Sequence, residues 1–213
     1  MRVKRIKGKP VPGFLPKIRK PSQEEILEML KNQNEVIRQR GIYFLRRKPS
    51  QAKALEMLKN PDEVIRQRGI YFLGMMKSAK AFAVDPLIKL LRTDPEGYIR
   101  WCAADALGKI GDKRAIKPVI EALSDPYWVV RAHAAEALGK LDAKEAIPEL
   151  TILVNDARWP VQEAAANALG DLRAKEAVPT LQKFASRAKG LFVYPPVEDA
   201  AKRALKKILG TRK

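Results

Sequence analysis

Cysteine and histidine are almost missing from this chain of 213 residues, where Cys102 and His133 each stand alone. A single thiol excludes an internal disulfide framework and a cysteine metal cluster. A single imidazole excludes most zinc and di-iron chemistry, so neither a metal nor a cofactor is expected. No apolar run approaches the roughly 20 residues that a membrane-spanning helix needs. The opening MRVKRIKGKPVPG is basic with no apolar stretch behind it, so no secretory leader and no membrane partner are expected, and a cytoplasmic location is. There is no glycine-rich phosphate loop and no suggestive Ser/His/Asp or Cys/His pair. The chain therefore reads as a non-enzyme, without catalytic residues or a small-molecule substrate.

Acidic residues are scarce too. Against 42 Lys and Arg there are 24 Asp and Glu, a formal net charge of +18. The surplus is segregated. Residues 1–20 hold eight bases and no acid, residues 81–174 carry a net −2, and residues 175–213 carry +7. Charge of one sign gathered at the ends of a chain points to polyanionic partners, foremost nucleic acid.

Internal repeats organise what lies between. PSQEEILEMLKN (21–32) returns as PSQAKALEMLKN (49–60), and NEVIRQRGIYFL (34–45) returns as DEVIRQRGIYFL (62–73), both 28 residues on. Further along, IRWCAADALGKIGD (99–112), VRAHAAEALGKLDA (130–143) and VQEAAANALGDLRA (161–174) follow at intervals of 31, and VEDAAKRALKKIL (197–209) sits 36 after the last. The extra residues fall in RAKGLFVYPP (187–196), which reads as an enlarged loop. Within the unit around residue 130, Val130, Ala134, Ala137, Leu138 and Leu141 share one helical face. Asp125-Pro126 is expected to cap that helix, and Gly139 to help stop it. A shorter partner helix carries Ile116, Val119, Ile120 and Leu123. Units of about 30 residues with two helices must stack to bury their apolar faces.

The pattern D-P-x-x-x-V-R-x-x-A-A-x-A-L-G resembles the HEAT-like repeat of the phycobilisome-lyase type. It is carried by Asp94–Gly108 and Asp125–Gly139, and by Asp156–Gly170 with Gln162 in place of the arginine. Asn32–Arg46 and Asn60–Gly74 diverge, with Ile, Tyr and Phe where alanines are usual. The resemblance implies an all-α solenoid of about six helix pairs. A basic Pro/Gly-containing arm (1–21) would precede the solenoid (22–210), with a basic end (211–213). It also implies that Arg38, Arg66, Arg100 and Arg131, with the Asn or Asp six residues earlier, form an internal ladder of polar contacts. Members of the family are mostly recognition scaffolds.

The expected function is binding of structured RNA or a ribonucleoprotein such as the ribosome, with RNA favoured over DNA. The arm would supply Arg2, Lys4, Arg5, Lys7, Lys9, Lys17, Arg19 and Lys20. An Arg/Tyr ridge would add Arg40, Tyr43, Arg68 and Tyr71, because guanidinium pairs with phosphate and rings stack on bases. The basic turn Arg46, Arg47, Lys48 and the last helix, with Lys202, Arg203, Lys206 and Lys207, complete the set. The rival reading is a protein-interaction scaffold using the mildly acidic middle, where Trp101, Tyr127, Trp128 and Trp159 could line a surface. A further alternative is DNA binding of the HEAT-like glycosylase kind, from Trp101 and Asp105 one helical turn apart.

Overall fold

The computed structural model describes residues 23–31, 49–76, 78–186 and 195–210. The basic arm, the turn Arg46–Lys48 and the positions Arg38, Arg40 and Tyr43 lie outside the described residues. The chain divides into two compact units, Met1–Lys48 and Pro49–Lys213. In the first, α1 spans Gln23–Lys31, with Glu24 and Glu25 in its first turn and Lys31 in its last. That arrangement complements the helix dipole at both ends.

The second unit is helical in pairs. Its elements are α2 (Gln51–Met57), α3 (Glu63–Met75), α4 (Val84–Thr93), α5 (Gly97–Ile110), α6 (Ile116–Glu121), α7 (Trp128–Lys140), α8 (Ile147–Leu153), α9 (Trp159–Asp171), α10 (Val178–Ser186) and α11 (Pro195–Leu209). No strand occurs among the described residues. Short 3-10 turns at Ala79–Ala81, Lys113–Ala115, Lys144–Ala146 and Lys175–Ala177 lead into the first helix of each later pair. The all-α solenoid expected from the repeats is what forms.

Local chemistry sets the boundaries. Ser50 caps α2 by accepting from the Lys53 amide at 3.3 Å, and Asp62 caps α3 by accepting from Val64 at 2.9 Å. Such caps satisfy amides that the first turn leaves open. Helix α5 ends on Gly111 in the left-handed region at φ 71°, where glycine carries no steric cost. Asp125 does not cap α7, contrary to the sequence expectation. It lies two residues ahead of the cap position and accepts from the Tyr127 amide at 2.8 Å, which fixes the turn instead. At the other end of α7 the Lys113 ammonium donates to the Leu141 carbonyl and, at 3.4 Å, to that of Asp142. A cation on the last carbonyls suits the negative end of the helix dipole.

One continuous apolar core runs from Ala54 to Ile208. The long second helices α3, α5, α7, α9 and α11 pack side by side along it, whereas the first helices touch one another at few points. Alanine and glycine make the tight spacing possible. Ala134, Ala135 and Ala137 are fully buried. Gly139 lies within α7, not at its stop. A methyl group built there would sit 3.4 Å from the Ala168 Cα on α9. The equivalent Gly170 is tighter, since a Cβ there would fall 2.7 Å from the Ala204 Cα on α11. Gly170, like Gly108 against Ala137, is therefore a close-approach residue, whereas Gly139 has room for a methyl group. In α11 Lys202 and Lys206 are exposed.

The two glycines give opposite expectations. Gly170→Ala must push backbone apart and should cost about 1–3 kcal/mol. Gly139→Ala meets ordinary contact and regains helix propensity of about 1 kcal/mol, so it should be neutral or stabilising. Urea unfolding of both variants checks this, and equal destabilisation would contradict the packing assignment.

Candidate functional site

The repeat arginines turn inward to the seam between units. Arg66 reaches Asp94 at 2.9 Å, Arg100 reaches Asp125 at 2.7 Å, and Arg131 reaches Asp156 at 2.8 Å. Arg100 and Arg131 each donate to both carboxylate oxygens of the next repeat, whereas Arg66 donates to Asp94 through Nη2 at 3.1 Å and its buried Nε, 2.9 Å from the other oxygen, makes no hydrogen bond. In each arginine the remaining nitrogen donates to two carbonyls of its own turn, Asn60 and Pro61, Asp94 and Pro95, or Asp125 and Pro126. The forked geometry of Arg100 and Arg131 is the strong form of the ion pair. Gln162 keeps only the local half of the pattern, donating to the Asp156 carbonyl at 2.6 Å, and the segment 187–196 offers no acid for a further rung. The ladder is structural, and it withdraws these arginines from any partner.

The free face of the second helices is lined by positions that recur just beyond the ladder. On α5 they are Tyr98, Trp101, Cys102, Asp105 and Lys109; on α7, His133, Glu136 and Lys140; on α9, Glu163, Asn167 and Asp171; on α11, Arg203 and Lys207. Ion pairs lace the helices together. Asp105 accepts from Lys109 at 2.5 Å and from Lys140 at 3.0 Å, Glu163 meets Arg203 at 3.5 Å, and Asp171 meets Lys207 at 2.6 Å. Burial acts to raise the Asp105 carboxyl, yet the hydrogen bonds and charges of the two lysines hold it below its ordinary range. Burial pushes the Cys102 thiol up to about 11, so it is not a thiolate nucleophile at neutral pH.

Between α3 and α5 the face opens into a pocket of about 220 Å³, walled by Tyr71, Trp101, Gln67 and Cys102 over Ile70, Gly74 and Ala106. The Trp101 indole stacks on the His133 imidazole at 4.5 Å and 19°, and Tyr98 meets it edge-on at 5.9 Å. Tyr71 is 58% exposed.

The sequence-derived sites fare unevenly. Tyr71 and Trp101 come together at the pocket, although the sequence places them on different surfaces. Arg68 is half-buried with its guanidinium 5.4 Å from the centre of the Phe72 ring, and burial lowers its pKa. In the last helix Lys202 pairs with Glu198, Arg203 with Glu163 and Lys207 with Asp171, so these cations already face carboxylates, while Lys206 is exposed. Trp128 packs against the core. Tyr127 and Trp159 are exposed at 45% and 40%, at the N-terminal ends of α7 and α9. Lys109 and Lys140 escape a reading of the sequence. Each follows the Leu-Gly of its repeat, and only the fold shows them converging on Asp105. Among the described residues no His, Cys, Asp and Glu gather in a way that could hold a metal ion, and no helix there is long and apolar enough to cross a membrane.

A family model described as HEAT repeats matches residues 51–137, 84–164 and 116–206 in overlapping registers. The chain belongs to the HEAT-repeat family. Among solved structures, this HEAT-repeat chain is similar to the complex of CpcE and CpcF of phycocyanin lyase from Nostoc sp. PCC7120. The identity is 30% and the TM-score 0.65, over 76% of this chain and 66% of that one; the chain thus spans about two thirds of that relative. It is also similar in fold to computationally designed armadillo repeat proteins for modular peptide recognition, at 18% identity, TM-score 0.54, and 87% and 99% coverage. Kap95p, in a structure with RanGDP, matches at 14% identity and TM-score 0.54, over 87% of this chain and 30% of that one. No curated protein matches.

The ladder has a pH signature. Burial raises the Asp125 carboxyl, but hydrogen bonds from Arg100 and the Tyr127 amide, with the Arg100 and Arg131 charges, bring it below its ordinary value. Its folded pKa therefore lies under the unfolded one near 3.9, so its stabilisation is present above about pH 4 and lost as pH falls further. Asp125→Asn should lower the melting temperature at pH 7 and flatten its decline between about pH 4 and 2. A parallel decline in both proteins would contradict this reading.

Proposed function

We propose that the chain is a protein-interaction scaffold and that the free face of its second helices receives the partner. One observation carries the reading: that face combines ion pairs which neutralise one another across helices with an aromatic-walled pocket. Paired charges give specificity, and a rigid aromatic pocket gives anchoring area. The similar solved structure is itself a complex of two proteins, CpcE and CpcF, which supports a protein partner here. No catalytic role belongs to this proposal. Asp105, the carboxylate that a glycosylase-like reading would use, is held by two lysines.

Photo-crosslinking residues placed at Tyr71, Glu136 and Asn167, and separately at the exposed first-helix positions Lys89, Lys117 and Ile152, test the proposal in the native cell. The scaffold reading expects discrete protein adducts, resistant to nuclease, from the first set alone. Nucleic-acid adducts, or adducts from the first-helix positions only, would contradict it.

Charge supports a second reading. Eight bases without an acid in residues 1–20 suit a polyanion, and an arm that binds structured RNA or a ribonucleoprotein could act alongside a protein-binding solenoid. In this proposal the arm spans 1–21 and is separable from the repeats. Deleting residues 1–20 should leave the melting of the repeats unchanged and weaken RNA binding. The slope of log K against log salt should shrink by about 0.7 for each phosphate that the arm neutralises. Equal affinity with and without the arm at matched salt would remove this reading.

A further inference from the structure

Resting on the scaffold reading, we infer that the pocket between α3 and α5 is the anchoring subsite for one large apolar side chain of a partner polypeptide, and that an acidic residue stands beside that side chain. Size comes first. At about 220 Å³ the cavity is smaller than the roughly 300–1,000 Å³ of sites that enclose whole small-molecule ligands. It suits a single side chain. Its floor is apolar and fixed, since Ile70 and Ala106 belong to the buried core. Its aromatic wall is held in place, since Trp101 is stacked on His133 and braced by Tyr98. A wall that is already rigid loses little entropy when it is covered. Tyr71 closes the opposite side and is the exposed ring that a guest would cover.

Charge chooses the neighbour. At the rim one carboxylate, Asp105, serves two ammonium groups, Lys109 and Lys140. Lys140, which reaches Asp105 from α7 without lining the pocket, leaves the three groups with one positive charge in surplus beside the mouth. Glu136, the next acid along α7, lies 3.6 Å from the His133 ring. A carboxylate on the guest would share the lysines with Asp105. The whole chain, at +18, favours encounter with acidic partners in the same sense. Gln67 at the rim has amide capacity to meet a peptide backbone.

The test uses short random peptides displayed on phage and selected on the full chain, followed by synthetic copies of the enriched sequences. Enriched peptides should share one Phe, Trp, Leu or Met next to Asp or Glu. Their affinity should fall about tenfold on Tyr71→Ala and hold within about twofold on Tyr71→Phe, since truncating a hot spot removes buried area whereas removing a rim hydroxyl does not. Lys109→Glu should turn the preference from acidic to basic neighbours while leaving the apolar anchor in place. Tyr71 and Lys109 are both exposed, so these variants keep the fold, and circular dichroism verifies it. A selection that enriches nothing, or enriches peptides without an apolar anchor or with basic neighbours, overturns the inference. Peptides indifferent to Tyr71→Ala but no longer bound on Arg203→Glu overturn the pocket and leave the scaffold reading standing.

Discussion

The stack from α3 to α9 depends on the arginine that crosses its seams. A guanidinium fastened to two carbonyls of its own turn and, at Arg100 and Arg131, to both oxygens of the next repeat's aspartate fixes the distance and the rotation between units at once. Charges this close to a core are tolerable only when fully paired, and here the pairing is with the neighbouring repeat. Stacking is therefore built into the polar chemistry as well as the apolar. The seam alanines and glycines add an apolar constraint of their own: the closest approach, at Gly170 against Ala204, lies at the α9–α11 seam, which has no arginine rung.

The consequence for function is a division of labour along each second helix. One stripe faces the core, one faces the seam, and one is left free. The free stripe inherits the regularity of the stack, so its side chains form rows across helices. Those rows find their partners between helices: Asp105 with Lys140, Glu163 with Arg203, Asp171 with Lys207. Exposed pairs of this kind add little stability singly. The α3–α5 step breaks the regularity, because a glutamine and a tyrosine replace the ions there and a pocket opens.

Much of this was legible in the sequence, and the reasons differ by feature. The ladder was readable because its partners occupy fixed offsets in each repeat, and near-identical spacing can only mean equivalent places in a stack. The role of the repeat glycine was not readable, because a glycine late in a helix serves equally well as a stop or as a close approach. The alanine that decides the matter at Gly170, Ala204, sits in the next repeat. The pocket was hidden for a related cause. Tyr71 and Trp101 occupy different rows on different helices, and they meet only because the walls of α3 and α5 face one another. In the last helix the sequence showed the cations but not the carboxylates Glu163 and Asp171 that lie opposite Arg203 and Lys207. The arm and its charge lie outside the described residues and remain part of the proposed second reading.

The dependence on the crossing arginine is tested most directly by a double-mutant cycle on Arg131 and Asp156, run beside the same cycle on the exposed first-helix pair Arg92 and Glu121, which also bridges neighbouring repeats at 2.8 Å. Both pairs are close, so distance alone does not separate them. If the seam pair is what ties the repeats together, Arg131–Asp156 should show a coupling free energy of about 2 kcal/mol or more, against under about 1 kcal/mol for Arg92–Glu121. Equal coupling in the two cycles would mean that the ladder is an ordinary surface ion pair and that apolar packing alone sets the stack.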